Sequence, residues 1–184
     1  MKTNGLRHAA ILIVAFLFSA GVHAQSADLR VVLIRHAEKP KKGNDLSCKG
    51  INRSQQLVPV LHSHFGVPSA IYVPSTGGKG KHSRMEQTIT PFASKYNVGI
   101  NNDFDVDDTK TLAKTIRGQK GTILIVWEHN GLSDIARRLG VKGVSLDWPD
   151  EDYDSMWIVS YANGSAALKK DKEGLHPKKD CPTE

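Results

Sequence analysis

The sequence predicts an α/β fold: a three-layer αβα sandwich around a mainly parallel central sheet. Short apolar, β-branched runs alternate with stretches whose apolar residues recur at helical spacing. The central runs are apolar throughout, as strands covered on both faces are. Neither an internal repeat nor a domain linker interrupts the pattern.

The elements follow in order. Residues 29–35 (Leu-Arg-Val-Val-Leu-Ile-Arg) read as a buried strand. Residues 39–44 form a polar loop containing Pro40 and Gly43. Ser47 is a candidate N-cap for a helix running to Phe65, with Ile51, Leu57, Val58, Leu61 and Phe65 on its apolar side and Gly66 as its stop. Residues 70–74 are a second strand, and 75–83 a Gly-rich basic loop. A helix over 84–96 contains Pro91, so the pattern allows either a kink or two helices. Residues 101–108 read as an acidic loop and 109–117 as a helix. Thr-Ile-Leu-Ile-Val-Trp at 122–127 is the clearest strand, followed by a helix over 132–139 that Gly140 ends. Residues 155–161 make the last expected strand. From Gly164 the chain reads as a lysine-rich polar tail.

The chain has 184 residues, 39% hydrophobic and 24% charged, which suits one globular domain. Residues 1–24 read as a secretory signal peptide. Lys2 and Arg7 precede an apolar run from Ala9 to Ala20, and Val22-His23-Ala24 offers a cleavage site after Ala24. That run is shorter than the ~20 residues a membrane span needs. The expected mature protein, residues 25–184, is therefore a single periplasmic or secreted domain without stable membrane insertion. In an oxidising compartment Cys48 and Cys181 either pair or remain two free thiols; neither has metal or redox-motif spacing.

The formal net charge is +6, with lysines at 39, 41, 42, 79, 81, 169, 170, 172, 178 and 179. Aromatic residues are not interleaved with these clusters as a nucleic-acid stacking platform would require, so nucleic acid is not an expected partner. Two of the clusters flank candidate catalytic segments, where they would attract an anionic substrate.

Two strands end in a histidine: 32–36 in His36, and 124–129 in Glu128-His129. In a parallel sheet both ends lie along one edge, where α/β folds bind ligands. Arg35 adjoins His36, and Arg84 opens a helix after another strand. Arginine offers a planar, permanently charged fork of donors that matches phosphate oxygens. Neutral imidazole is a nucleophile, and a second imidazole can donate to oxygens that gain charge. Such a pocket transfers a phosphoryl group and requires no metal or other cofactor. Among the other histidines, 62, 64, 82 and 176 lack partners at ligand spacing and read as surface residues. Trp148 and Trp157 read as packing.

These segments resemble the histidine phosphatase superfamily, the phosphoglycerate mutase-like fold. Leu33-Ile34-Arg35-His36-Ala37-Glu38-Lys39-Pro40 resembles its Arg-His-Gly/Ala motif, and Leu46-Ser47-x-x-Gly50-x-x-Arg53 the stretch that follows. Ser83-Arg84-Met85-Glu86-Gln87-Thr88 is similar to its Arg-x-x-Gln-Thr segment, and Trp127-Glu128-His129-Asn130 to the segment with the second histidine. The resemblance implies a phosphohistidine on His36, a phosphate pocket completed by Arg35, Arg84 and His129, and a further phosphate contact from Arg53. The chain departs from the pattern at Ala37, in the Gly-Gly-Lys-Gly-Lys loop before Arg84, and at Asn130, where one branch carries an Asp. That Asp is the general acid. Here the candidates for that role are Asp103, Asp105, Asp107, Asp108 and Glu128, among which Asp107 and Glu128 are the expected substrate contacts. The expected activity is phosphomonoester hydrolysis on a phosphorylated small molecule or envelope component. The alternative is a catalytically silent member that binds phosphorylated ligands.

Overall fold

A computed structural model of the chain describes residues 28–76 and 83–181. The expected signal peptide and the lysines at 79 and 81 lie outside the described residues. Six strands form one sheet in the order β3-β2-β4-β1-β5-β6. The parallel part comprises β1 (Leu29–Arg35), β2 (Ala70–Pro74), β3 (Ile100–Phe104) and β4 (Gly121–Trp127). Antiparallel to these, β5 (Ser155–Ala162) pairs with β1 and β6 (Ser165–Lys172) with β5. Alternate residues of the central strands enter two separate cores. Val32, Ile34, Leu124 and Val126 pack under α1 (Cys48–Phe65) and α2 (Ser83–Tyr96). On the other face, Val31, Leu33, Ile123, Ile125 and Trp127 pack under α3 (Thr109–Arg117) and α4 (His129–Arg138). Helices on both faces of a mainly parallel sheet make the three-layer sandwich.

Local signals account for most boundaries. The Ser47 side chain accepts from the Gly50 amide and caps α1, and the Gly66 amide closes its last turn on His62. Pro91 does not divide the helix; α2 is continuous across it.

Three stretches differ from the sequence expectation. Part of the acidic loop is the strand β3, whose Asn101, Asn102 and Asp103 are tolerated because an edge strand pairs on one side only. The first part of the lysine-rich tail is β6. Asn163 (φ 50°) and Gly164 (φ 76°) make a two-residue turn that folds it back on β5, a left-handed pair that Asn-Gly adopts readily. Ala166 and Leu168 then lean on the core while Lys169 and Lys170 stay exposed. Finally, α4 begins at His129 rather than at 132, which makes that histidine the first helical residue.

Gly131 is demanded by packing. A Cβ there would lie 2.3 Å from Cδ1 of the fully buried Trp127 indole. Gly131→Ala is expected to destabilise the fold by about 2–3 kcal/mol, measurable by urea unfolding.

Candidate active site

The parallel pairing of β1 with β4 aligns Arg35 with Trp127, and the His36 amide donates to the Trp127 carbonyl at 3.0 Å. His36 leaves β1 and His129 leaves β4 at the same edge of the sheet. His36 is 3% exposed. Its Nδ1 lies 2.7 Å from the Ala37 carbonyl oxygen. A carbonyl only accepts, so Nδ1 carries the ring proton and Nε2 keeps its lone pair. Burial pushes the imidazole pKa down to about 3; the charges of Arg35, Arg84 and Lys39 act in the same direction, against the Ala37 carbonyl. The ring is therefore neutral and nucleophilic across the physiological range.

Two helices of one layer hold the loop that follows. From α2, Thr88 Oγ1 accepts from the Ala37 amide at 2.9 Å and donates to the Arg84 carbonyl. One turn before Thr88 on the same face, Arg84 lends its charge to the surroundings of His36. It also reaches the Asn44 carbonyl through Nε. From α1, the Ser47 amide and hydroxyl both donate to the Glu38 carbonyl. A Cβ at Gly50 would stand 2.2 Å from that same oxygen, so the close approach requires glycine.

Arg35 is directed to a segment that the sequence reading left out, residues 149–153. It donates to the Asp150 carbonyl, makes longer contacts with the Pro149 and Asp152 carbonyls, and lies 4.0 Å over the Tyr153 ring. Burial lowers its pKa, and the negative groups of this segment oppose that shift. The Tyr153 ring also meets His36 edge-on, 6.0 Å between centroids. Asp150 adds a carboxylate 2.7 Å from His129 Nε2, while His129 Nδ1 is buried without a partner. The signal that could have found this segment is strand direction. Because β5 runs antiparallel to β1, its start lies at the edge where the parallel strands end.

The remaining candidates are distributed as follows. The guanidinium of Arg53 donates to Glu38 through Nε and Nη2, at 2.9 and 3.0 Å, and to Glu173 through Nη1. It is thus engaged by two buried carboxylates. Glu128 is half-buried at the N-cap of α4 and makes no side-chain cap. Asp103, Asp105, Asp107 and Asp108 are exposed, and Asp108 caps α3. Their loop is tied to the end of β4 by the Trp127 indole, which donates to Val106 at 3.0 Å. The structure therefore brings Arg35, His36, Arg84 and His129 to one strand edge, with Asp150 and Tyr153 beside them.

No family model and no curated protein matches the chain. Solved structures match its fold. The protein histidine phosphatase SixA complexed with tungstate aligns at TM-score 0.58 and 12% identity, over 78% of this chain and 97% of that one. A putative phosphohistidine phosphatase SixA from Agrobacterium tumefaciens aligns at 0.54 and 17%, over 80% and 98%. A putative alpha-ribazole-5'-P phosphatase from Escherichia coli K-12 aligns at 0.53 and 15%, over 85% and 99%. The chain has the histidine phosphatase, phosphoglycerate mutase-like fold.

The unfolded His36 ring takes a proton near its ordinary value of 6.5, whereas the folded ring does so only at about 3. Between those values the unfolded state binds more protons, so this group's share of stability is lost as pH falls through that window. Nitrogen NMR is expected to show the Nδ1–H tautomer of His36 persisting throughout it.

Proposed function

We propose that the chain is a phosphohydrolase that works through a phosphohistidine on His36. The observation that carries this reading is the Ala37 carbonyl on Nδ1, which leaves Nε2 as an unprotonated nucleophile among the charges of Arg35 and Arg84. Supporting it, the solved structures with this fold include proteins described as phosphatases of phosphohistidine and of alpha-ribazole 5'-phosphate.

The chemistry runs in two halves. Nε2 forms a bond to phosphorus as the ester P–O bond breaks, and the leaving oxygen takes a proton. Water then adds to phosphorus, the N–P bond breaks, and inorganic phosphate departs. Arg35, Arg84 and His129 neutralise the equatorial oxygens in both halves. This cluster supplies the charge that a metal provides elsewhere. We assign the proton transfer to Asp150, the carboxylate that touches His129. It enters as the carboxylic acid and protonates the leaving oxygen; the carboxylate so formed then accepts a proton from water.

The compartment in this proposal is the periplasm or the exterior, on the signal-like residues 1–24. The substrate is a phosphorylated small molecule or envelope component drawn in by the basic surface. A silent phosphate-binding protein is the second reading, favoured by the engagement of Arg35 with the 149–153 carbonyls.

His36→Ala is expected to lower turnover of an aryl phosphate by roughly 10³-fold or more and to abolish acid-labile phosphate incorporation. Full activity in that variant would refute the phosphohistidine reading, and an inactive wild type would favour the silent binder. Asp150→Asn is expected to cost about 10²-fold on alkyl phosphates. The cost should be much smaller on aryl phosphates, whose leaving groups need no proton. An equal loss on both would remove Asp150 from the acid role.

A further inference from the structure

Beyond the pocket, the fold buries a second charged cluster that phosphoryl transfer does not use. Arg53, Glu38 and Glu173 are 4%, 7% and 5% exposed. Glu38 lies two residues after His36, and its carboxylate is gripped by Arg53 and by Lys49 at 3.0 Å. Glu173 comes from the opposite end of the chain, just past β6, and takes the remaining face of the Arg53 guanidinium. The segment it opens returns over the start of α1. Its Glu173 amide donates to the Asp154 carbonyl at 2.7 Å, and the Leu175 amide to the Asp154 carboxylate at 3.1 Å. Asn52 donates to the carbonyls of Lys178 and Asp180, and Cys181 is joined to Cys48 by a disulfide.

Helical spacing divides these contacts. Lys49 and Arg53, four residues apart, face the His36 loop, and Arg53 also reaches Glu173; Cys48 and Asn52, also four apart, face the returning segment. One turn of α1 therefore couples the two.

We propose that residues 173–181 are a positioning strap for the nucleophile: Glu173 sets Arg53, Arg53 sets Glu38, and the Cys48–Cys181 bridge keeps the strap in place. The proposal rests on the reading of His36 as the phosphorylated residue. Glu173 and Glu38 share one guanidinium through different nitrogens. The groups around Glu173 are Arg53 and, through Glu38, Lys49 on α1; Glu38 itself on the loop; and Asp154 before β5. Burial pushes the Glu173 carboxyl up to about 8, against the pull of Arg53, with Asp154 and Glu38 adding to the rise. Below that pH Glu173 is neutral and Glu38 keeps the charged pair. Above it, ionised Glu173 shares the Arg53 charge, and the hold on Glu38 weakens.

The test measures turnover and the rate of phosphohistidine formation with an aryl phosphate in four full-length proteins. These are the wild type, Glu173→Ala, Glu173→Gln and the double variant Cys48→Ser/Cys181→Ser. Glu173→Ala and the double serine variant are expected to lose kcat by about tenfold or more, with KM within about threefold, because the nucleophile is misplaced rather than the substrate excluded. Reduction of the bridge by dithiothreitol, which becomes a cyclic disulfide as two cysteine thiols form, is expected to give the same loss. Glu173→Gln keeps the acceptor and should restore kcat at pH 6. It should also lack the wild-type decline in kcat as pH rises through about 8. Wild-type kcat in both Glu173→Ala and the double serine variant would overturn the strap while leaving the His36 reading intact. If Glu173→Ala does not fold, the Gln comparison decides: an unchanged decline near pH 8 overturns the proposal. Turnover that survives His36→Ala would instead strike the reading beneath it.

Discussion

The hydrogen bond from the His36 amide to the Trp127 carbonyl, 3.0 Å long, is the junction on which the site is assembled. It continues the β1–β4 ladder one residue past the end of β1. Two parallel strands that finish together present their following residues together, so His36 and His129 arrive at one edge. Trp127 anchors that junction from below. Its ring is fully buried, its indole nitrogen bonds Val106, and its bulk leaves no room for a side chain at Gly131. The end of β4, the start of α4 and the acidic loop are thereby locked to each other.

Electrostatics then decides what the junction can do. Arg35 is nearly buried, and a guanidinium taken out of water needs acceptors. The backbone carbonyls of Pro149, Asp150 and Asp152 supply them, and the carboxylates of the same segment add negative charge that supports the guanidinium. The neutral state of His36 follows from burial first and from neighbouring cations second. Of the carboxylates near this field, Asp150 meets His129, while Glu38 is held elsewhere. Glu38 is turned to Arg53 and Lys49, where those partners hold it below the usual carboxylate range despite its burial.

Much of this was legible in the sequence because parallel strands advertise themselves: apolar on both faces, each followed by a helix. The ends of β1 and β4 carried the two histidines in plain view. What was not legible was direction and distance. The apolar run at 155–161 looks the same whichever way it runs, so the arrival of Asp150 and Tyr153 beside the pocket could not be read from it. Asn163-Gly164 was the available clue, since that pair favours a tight hairpin and so an antiparallel edge. Arg53 was read toward phosphate because its nearest motif points there. Its partner Glu173 stands 120 residues away, and only the folded sheet brings it in. The same holds for Cys48 and Cys181, separated by 133 residues and 4.4 Å apart at Cα. Closing a loop of that length removes enough freedom from the unfolded chain to contribute about 4–5 kcal/mol.

The protonation of His36 is set by packing rather than by a charged partner. Many catalytic histidines are oriented by a carboxylate, which also raises their basicity. Here the group on Nδ1 is the Ala37 carbonyl, so the tautomer depends on how one peptide is turned. That peptide joins Ala37 to Glu38, and it is held at both ends. The Ala37 amide is fixed by Thr88 of α2, and the next carbonyl, that of Glu38, by Ser47 at the cap of α1. Ser47, Gly50 and Arg53 recur every three residues along one side of the first turns of α1. They meet Glu38 as a donor, as empty space and as a counter-ion. A carboxylate on Nδ1 would favour the imidazolium and weaken the nucleophile. A carbonyl fixed by two helices selects the tautomer and leaves the ring neutral, the state that the proposed phosphoryl transfer through Nε2 uses.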